Sequence, residues 1–204
     1  CNTIICFGEL PIFCSFLNIF FYKKLFNFGS KKFISSFRNH PSTISKKKQN
    51  LLVKIFNLFD LNTTNSSIAT KFIKERFNIK NIQTLYNPLP TEKKPQLKKL
   101  DISSTINLLS VSRLEKQKNI YLLIKSFHQI QLNSVSPYKF KLHIIGYGSE
   151  HRKLANYVKK NNLKSTISFY GNLSQVEVMK MYKFADFFVH CSKWDGIPNT
   201  VLES

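Results

Sequence analysis

The chain has 204 residues, 43% of them hydrophobic, and a formal net charge of +20 from 31 basic and 11 acidic side chains. This composition excludes a wholly disordered chain, and the spacing of the four cysteines excludes a paired metal-ligand motif or a disulfide framework and favours a reducing compartment. The positive charge favours anionic partners such as phosphorylated small molecules, acidic lipid headgroups or nucleic acid, although abundant solvated lysine alone would give the same balance.

Residues 4–21 form the first apolar run, which approaches the ~20 residues that a membrane span requires. Glu9 and Pro11 lie inside this run beside Gly8, and an unpaired carboxylate in lipid is unfavourable. A buried strand, a turn at residues 8–11 and a buried helix therefore account for the run better than a transmembrane span does.

The rest of the first half gives a less regular pattern. Strands are predicted at residues 33–37 and 82–86, a helix at 67–77, and a surface loop around the basic run at 46–48. Three prolines and several charged residues within 87–95 then interrupt any helix or central strand. We predict one domain over residues 1–90, a linker over 91–104 and a second domain over 105–204.

The second half alternates short apolar runs with amphipathic segments. Strands are predicted at residues 106–112, 140–145, 166–170 and 186–190, with a helix after each strand and the last helix beginning at Pro198. This alternation predicts an α/β fold with a parallel sheet and helices on both faces. Ligands of such sheets bind beyond the carboxyl ends of the strands, so the loops at 112–119, 146–150, 171–174 and 191–198 are the expected binding regions.

Arg113 and Lys118 occupy the first of these loops, just before a predicted helix. Two cations beside a helix N-terminus are suited to a diphosphate, because the helix adds free N–H groups and partial positive charge. Solvated surface is the alternative for such a pair.

Gly146 and Gly148 follow the second predicted strand. Two glycines allow the backbone to turn tightly and to approach a ligand closely. The alternative is an ordinary strand-to-helix turn in which Ser149 caps the helix.

The last loop carries two carboxylates eight residues apart, Asp195 and Glu203. Gly196 and Ile197 can direct backbone N–H groups toward a ligand, and Pro198 suits a first helical turn. The carboxylates can accept hydrogen bonds from a hydroxyl-rich ligand such as a sugar. Alternatively, Asp195 is a capping residue and Glu203 is solvated.

Taken together, these segments resemble the C-terminal domain of group 1, GT4-type glycosyltransferases, which have the two-domain GT-B fold. The matching residues are Ser112-Arg113-Leu114, Lys118-Asn119, Gly146-x-Gly148, Phe169-x-Gly171, Asp195-Gly196-Ile197-Pro198-Asn199 and Glu203. Asp195 stands where the family usually has Glu. Asn65-Ser66 and residues 85–90 resemble the end of the family's N-terminal domain. In the segment where many members have an active-site His, Arg38 takes that position and His40 follows two residues later, which leaves both as candidates.

The resemblance implies two Rossmann-like domains, both incomplete in this chain, with parallel sheets flanked by helices. It implies that Arg113 and Lys118 hold the diphosphate of a nucleotide-sugar donor, that Glu203 binds the ribose, and that Asp195 holds the sugar. It assigns the remaining contacts with the donor to Gly146, Gly148, Gly171, Gly196, Ile197, Pro198 and Asn199, with Gly171 near the base. It also implies transfer with retention, no metal and no cofactor besides the donor substrate, and the chain has no D-x-D motif.

We therefore expect a cytoplasmic hexosyltransferase that acts on a glycan or lipid-linked acceptor in the synthesis of envelope polysaccharide or glycoconjugates, with no nucleic-acid partner. Residues 1–100 carry net +13 against +7 for the rest, which favours peripheral contact with an anionic membrane. An epimerase or phosphorylase on the same fold, or a non-catalytic polyanion- or membrane-binding module, stays open as an alternative. We also expect the chain to be a piece of a longer enzyme, poorly soluble and inactive alone.

Overall fold

The computed structural model describes residues 3–8, 12, 19, 32–38, 46–88, 105–133 and 138–204. The chain divides into two compact units, one formed by Cys1–Pro88 with Asp195–Ile197 and the other by Leu89–Trp194 with Pro198–Ser204. Each unit contains its own four-stranded parallel sheet. The predicted linker, residues 91–104, lies outside the described residues.

The sheet of the first unit has the strand order β1-β2-β3-β4. Its elements are β1 (Thr3–Phe7), β2 (Lys32–Phe37), α1 (Lys46–Phe56), β3 (Leu61–Thr64), α2 (Ser67–Phe77) and β4 (Ile82–Thr84). Aromatic and aliphatic side chains form the core, where the rings of Phe37 and Phe56 meet edge to face with centroids 5.9 Å apart. Burial of these apolar faces is what holds the short strands and the helices together.

The prediction of a surface loop at Lys46-Lys47-Lys48 was wrong, because these residues begin α1. The buried residues Leu52, Ile55 and Phe56 follow at helical spacing and fix this helix against the core. The three lysines precede that apolar pattern, so the local sequence around them is typical of an exposed loop.

The strand β3 was not predicted from the sequence, because its residues Asn62, Thr63 and Thr64 are polar although buried. Their side chains are satisfied internally: the Asn62 Nδ2 donates to Phe56 O at 3.0 Å, and the Thr63 Oγ1 donates to Ser35 O at 2.9 Å. Buried polar groups are tolerated when they are hydrogen-bonded, and hydrophobic patterning cannot reveal such a strand.

The run at residues 4–21 is only partly described. Residues 3–7 form β1, Gly8 has a left-handed φ of +83°, and Ile12 and Ile19 are helical and fully buried; the other residues of this run lie outside the described part. Among the described residues, no helix combines the length and apolarity needed to cross a bilayer.

The second unit confirms the predicted alternation of strand and helix. Its elements are β5 (Ile106–Val111), α3 (Ile120–Asn133), β6 (Phe140–Ile145), α4 (His151–Lys160), β7 (Ile167–Phe169), α5 (Gln175–Phe184), β8 (Phe187–Phe188) and α6 (Asn199–Glu203), with a 3₁₀ turn at Lys116–Lys118. Pro198 caps α6 in an extended conformation, so the helix begins one residue later than predicted.

Helices cover both faces of this sheet, as the alternation predicts. Leu142 and Ile144 pack into the core formed with α3 and α4, whereas Leu109 and Ile145 pack against Val178 of α5. Neighbouring residues such as Ile144 and Ile145 reach opposite cores because successive side chains of a strand alternate between its faces. The predicted fold class, a parallel α/β fold flanked by helices, is therefore confirmed.

The strand order β7-β6-β5-β8 decides where a ligand can bind. The chain moves outward from β5 through β6 to β7, and then returns to place β8 on the other side of β5. In sheets of this kind ligands bind at the carboxyl ends of the strands where the order reverses. The crevice beyond β5 and β8 is therefore the expected site in this unit.

A buried histidine of β6 links β5 to the residue that follows β7. His143 is 6% exposed; its Nδ1 lies 2.8 Å from the Tyr170 hydroxyl, and its Nε2 lies 3.1 Å from Asn107 Oδ1. Because the Asn107 amide donates to Asp186 Oδ2, its oxygen accepts the proton of Nε2, and Nδ1 accepts from Tyr170. Burial, followed by the positive charge of Lys141, lowers the pKa of His143.

We predict that the free energy of unfolding falls as the pH drops below about 6.5, the ordinary pKa of histidine. Below that pH, His143 of the unfolded chain is protonated while the folded protein keeps His143 neutral. The contribution of neutral His143 to the free energy of unfolding is therefore complete above pH 6.5 and is lost as the pH falls below it. Urea unfolding across this pH range measures the effect. His143→Gln should flatten the decline, whereas His128→Gln, which also removes a ring bonded to a tyrosine hydroxyl, should preserve it.

Candidate functional site

The loop after β5 places two cations at the carboxyl edge of the second sheet. Arg113 is exposed, and Lys118 is half-buried at the end of the 3₁₀ turn. Asn119 follows in the left-handed conformation with φ of +56° and directs the chain into α3, which has 14 residues. Leu114 is fully buried in the core with α3 and α4, so the loop is anchored between its two cations.

The loop after β6 lies directly against this cationic loop. The Leu114 N–H donates to Tyr147 O at 3.0 Å, and the Glu150 N–H donates to Leu114 O at 2.9 Å. A Cβ on Gly146 would come within 1.9 Å of Ser112 O, and one on Gly148 within 2.6 Å of Leu114 O. Both glycines are thus required by the approach of the neighbouring backbone.

A carboxylate reinforces the contact between these two loops. Glu115 Oε1 accepts from the Ser149 N–H at 3.1 Å, and Glu115 Oε2 accepts from the Ser149 hydroxyl at 2.6 Å. These hydrogen bonds lower the pKa of Glu115. The alternative in which Ser149 caps α4 was wrong, because the cap position is Glu150 and the Ser149 side chain is bonded to Glu115.

The segment after β8 is bonded to the other end of the cationic loop. The Lys193 N–H donates to Gln117 O at 2.9 Å, and the Gln117 Nε2 donates to Trp194 O at 2.7 Å. The Cys191 thiol lies 3.5 Å from both Lys118 O and Asn119 O, and burial raises its pKa, which keeps it protonated as a donor. The loops that follow β5, β6 and β8 therefore form one hydrogen-bonded rim.

Glu203 lies on α6, which packs on the α5 side of the same unit. The Tyr182 hydroxyl donates to Thr200 O at 3.1 Å, and the neighbouring Glu203 carboxylate, together with burial as the larger cause, raises the pKa of Tyr182. Pro198 and Asn199 form the start of α6. Tyr182 is thus a fixed, protonated neighbour of Glu203.

Gly171 follows β7 with a left-handed φ of +67°, and a Cβ there would meet no atom within 4 Å. Its carbonyl accepts from the Gly146 N–H at 2.7 Å, which joins the loop after β7 to the rim. The open space beside Gly171 is compatible with the predicted ligand contact there.

Asp195, Gly196 and Ile197 group with the first unit rather than the second. There the Asn87 Nδ2 donates to Ile197 O at 3.2 Å, and a Cβ on Gly196 would lie 2.5 Å from Asn65 Oδ1. Of the four predicted catalytic residues, Arg113, Lys118 and Glu203 belong to the second unit, and Asp195 does not.

Arg38 also belongs to the first unit, where its guanidinium lies 5.4 Å from the centroid of the Phe7 ring and donates to Asn87 Oδ1. His40, the other candidate, lies outside the described residues. Within the described residues, no three His, Cys, Asp or Glu side chains are grouped as a metal ion would require.

A known sequence family matches the part of the chain that contains the second unit. The profile described as "Glycosyl transferases group 1" matches residues 92–204, more than half of the chain. The chain belongs to the group 1 glycosyltransferases.

Two curated relatives place this group 1 glycosyltransferase beside transferases of other organisms. An uncharacterized glycosyltransferase of Methanocaldococcus jannaschii is 32% identical over 135 residues, which cover 66% of this chain and 31% of the relative. The N-acetylgalactosamine-N,N'-diacetylbacillosaminyl-diphospho-undecaprenol 4-alpha-N-acetylgalactosaminyltransferase of Campylobacter jejuni is 29% identical over 148 residues, 71% of this chain and 38% of that protein. The chain spans about a third of the length of these relatives.

A solved structure supports the fold. TarM of S. aureus, crystallised with Fondaparinux, alpha-GlcNAc-glycerol and UDP, superposes with a TM-score of 0.76 at 20% identity and covers 98% of this chain and 38% of that chain. At this identity the likeness shows the fold alone, which is the GT-B type that the resemblance implied for this group 1 glycosyltransferase.

Three residues of the site gave no recognisable signal in the sequence. Gln117 lies between the two candidate cations, Cys191 lies in the segment after β8, and Tyr147 separates two glycines. Their roles arise from contacts with residues 33 to 77 positions away, from Tyr147 with Leu114 to Gln117 with Trp194, which a local pattern does not encode. The glycine pair itself was the available signal, since glycine often marks a close approach of backbones.

Proposed function

We propose that this group 1 glycosyltransferase moves a sugar from a nucleotide-diphosphate sugar to a glycan or lipid-linked acceptor. The observation that carries the proposal is the position of Arg113 and Lys118 at the carboxyl end of β5, beside the reversal of strand order and before α3. Cations and a helix N-terminus at this edge are suited to a diphosphate.

In the proposed reaction an acceptor hydroxyl forms a new bond to the sugar as the bond between the sugar and the diphosphate breaks, and the hydroxyl proton is released to water or to the leaving phosphate. Negative charge develops on the leaving nucleotide. Arg113 and Lys118 stabilise that charge, and the rim of hydrogen-bonded loops holds both residues in place before the reaction begins. We propose that the reaction retains the anomeric configuration and needs no metal, since the two cations, rather than a D-x-D motif, neutralise the diphosphate.

The other proposed roles follow the resemblance. Glu203 binds the ribose with Tyr182 as its neighbour, and Asp195 with Gly196, Ile197, Pro198 and Asn199 holds the donor sugar. Gly146 and Gly148 act by allowing the cationic loop to approach, and Gly171 lines the side of the base.

For the acceptor, we propose a lipid-linked glycan at the cytoplasmic face of a membrane. The name of the Campylobacter jejuni relative includes a diphospho-undecaprenol, and residues 1–100 of this chain carry net +13. Positive charge favours an anionic bilayer. Equal binding of the protein to neutral and anionic vesicles at moderate salt would contradict this part of the proposal.

A thermal-shift screen of nucleoside diphosphates and their sugars on the full-length protein tests the proposed donor. We expect one nucleotide class to raise the unfolding temperature, by a stabilisation of about 2.7 kcal/mol when the ligand is present at 100 times its Kd. Nucleoside monophosphates of the same base serve as controls, and should stabilise less because they lack the second phosphate. The donor proposal fails if no nucleoside diphosphate or nucleotide sugar stabilises the protein.

A further inference from the structure

Tyr147 is an exposed aromatic residue at the carboxyl edge of the second sheet. It lies between Gly146 and Gly148 in the turn after β6, and 58% of its surface is exposed. Its glycine neighbours have no side chains that could cover the ring. Single exposed aromatic residues are common on protein surfaces; Tyr147 is of interest because it lies at the sheet edge where ligands of such folds bind.

The ring is supported by other aromatic side chains. It packs on the ring of His151 with centroids 5.0 Å apart and planes inclined by 33°, and His151 in turn meets Phe169 edge-on at 5.6 Å. His151 is the first residue of α4 and Phe169 ends β7, so regular elements hold this support in place. The exposed surface of Tyr147 is therefore presented on a fixed base.

The backbone of Tyr147 is fixed beside the proposed diphosphate site. Tyr147 O accepts from the N–H of Leu114, the residue after Arg113, at 3.0 Å. On its other side, the Gly146 N–H donates to Gly171 O at 2.7 Å. The ring thus belongs to a loop held between the cationic loop and the loop after β7.

The chemistry of a nucleotide fits this arrangement. A nucleoside diphosphate has a flat aromatic base that is separated from its phosphates by a single ribose, so a base subsite must lie close to the diphosphate subsite. Every base has a π-face that can stack on an aromatic side chain, and such stacking contributes substantially to affinity. Two exposed aromatic residues of the loops after β6 and β8 are bonded to the Arg113 loop: Tyr147 through Leu114, the residue next to Arg113, and Trp194 through Gln117. Of the two, Tyr147 is bonded closer in sequence to Arg113, and its ring rests on His151.

We propose that the ring of Tyr147 stacks on the base of the donor nucleotide. This inference rests on the proposed function and adds to it a residue that contacts the base. Because stacking needs the ring and not the hydroxyl, phenylalanine should replace Tyr147 without loss.

The test compares two probes that differ by the nucleoside: the tightest binder of UDP, ADP and GDP, and inorganic pyrophosphate. Their affinities for the purified full-length protein are measured by calorimetry. Tyr147→Ala should weaken binding of the nucleoside diphosphate about tenfold or more and leave pyrophosphate binding within about twofold. Tyr147→Phe should bind both probes as the natural protein does.

Tyr86→Ala is the matched control, since Tyr86 is 56% exposed and belongs to the first unit; its nucleotide affinity should not change. Unchanged pyrophosphate binding also shows that Tyr147→Ala remains folded. The stacking proposal is overturned if Tyr147→Ala binds the nucleotide normally, if it loses both probes equally, or if the natural protein binds pyrophosphate as tightly as the nucleotide. If the natural protein binds none of the four probes, the proposed function fails and the stacking proposal fails with it.

Discussion

In the full-length enzyme, Arg113→Ala is expected to lower kcat for sugar transfer about 100-fold or more, and Lys118→Ala is expected to have an effect of the same order. Both cations lie at the carboxyl end of β5, where we propose that the donor diphosphate binds. Loss of either one leaves part of the charge that develops on the leaving nucleotide without a counter-charge. The rate is measured with saturating donor by following release of the nucleoside diphosphate.

A reduced kcat is informative only if the fold is intact. Leu114 lies fully buried beside Arg113, whereas Arg113 itself is exposed, so truncation of its side chain should leave the unfolding temperature nearly unchanged. Arg152→Ala and Lys125→Ala remove exposed cations from α4 and α3 of the same unit and should leave kcat unchanged. Normal rates in both Arg113→Ala and Lys118→Ala would remove these residues from the mechanism.

The second large effect is expected on stability. Gly146→Ala should lower the free energy of unfolding by about 3 kcal/mol or more, because the new Cβ would come within 1.9 Å of Ser112 O and because φ at this position is +123°. The obstacle is backbone of the cationic loop, which cannot turn aside as a flexible side chain does. Urea unfolding of the variant and of the natural protein measures the difference.

Two other glycines separate the clash from the conformational strain. Gly171→Ala places a Cβ in open space at φ of +67°, so it introduces strain alone and should destabilise by only about 1 kcal/mol. Gly148→Ala places a Cβ 2.6 Å from Leu114 O without a left-handed φ, so it introduces the clash alone. Equal losses in Gly146→Ala and Gly171→Ala would show that the neighbouring loop does not determine the need for glycine.

The second half of the chain was predictable because its core is apolar and regular. Ile120, Leu123, Ile124 and Phe127 recur at helical spacing, and all four are buried in α3. The strand at residues 140–145 was predicted at its observed bounds for the same reason. Apolar periodicity reports burial directly, and burial is the main driving force for these elements.

The first half was less predictable because its signals are mixed. Polar Asn62, Thr63 and Thr64 are buried in β3, where hydrogen bonds replace apolar contacts. The three lysines at the start of α1 similarly conceal a helix whose apolar residues come later. In both cases long-range contacts decide the local structure against the local composition.

The sequence by itself determined the parallel α/β fold, the family and the loops in which a donor site should be sought, because periodicity and motif spacing are local properties. Only the tertiary structure decided that Gly146 and Gly148 serve the approach of the cationic loop, and that Gln117 and Cys191 bond this loop to the segment after β8. It also decided that Tyr147 is exposed while its backbone is bonded to Leu114 of the cationic loop. These contacts join strands that are neighbours in the sheet but distant in the chain, and strand order is fixed by the packing of both faces rather than by any single segment.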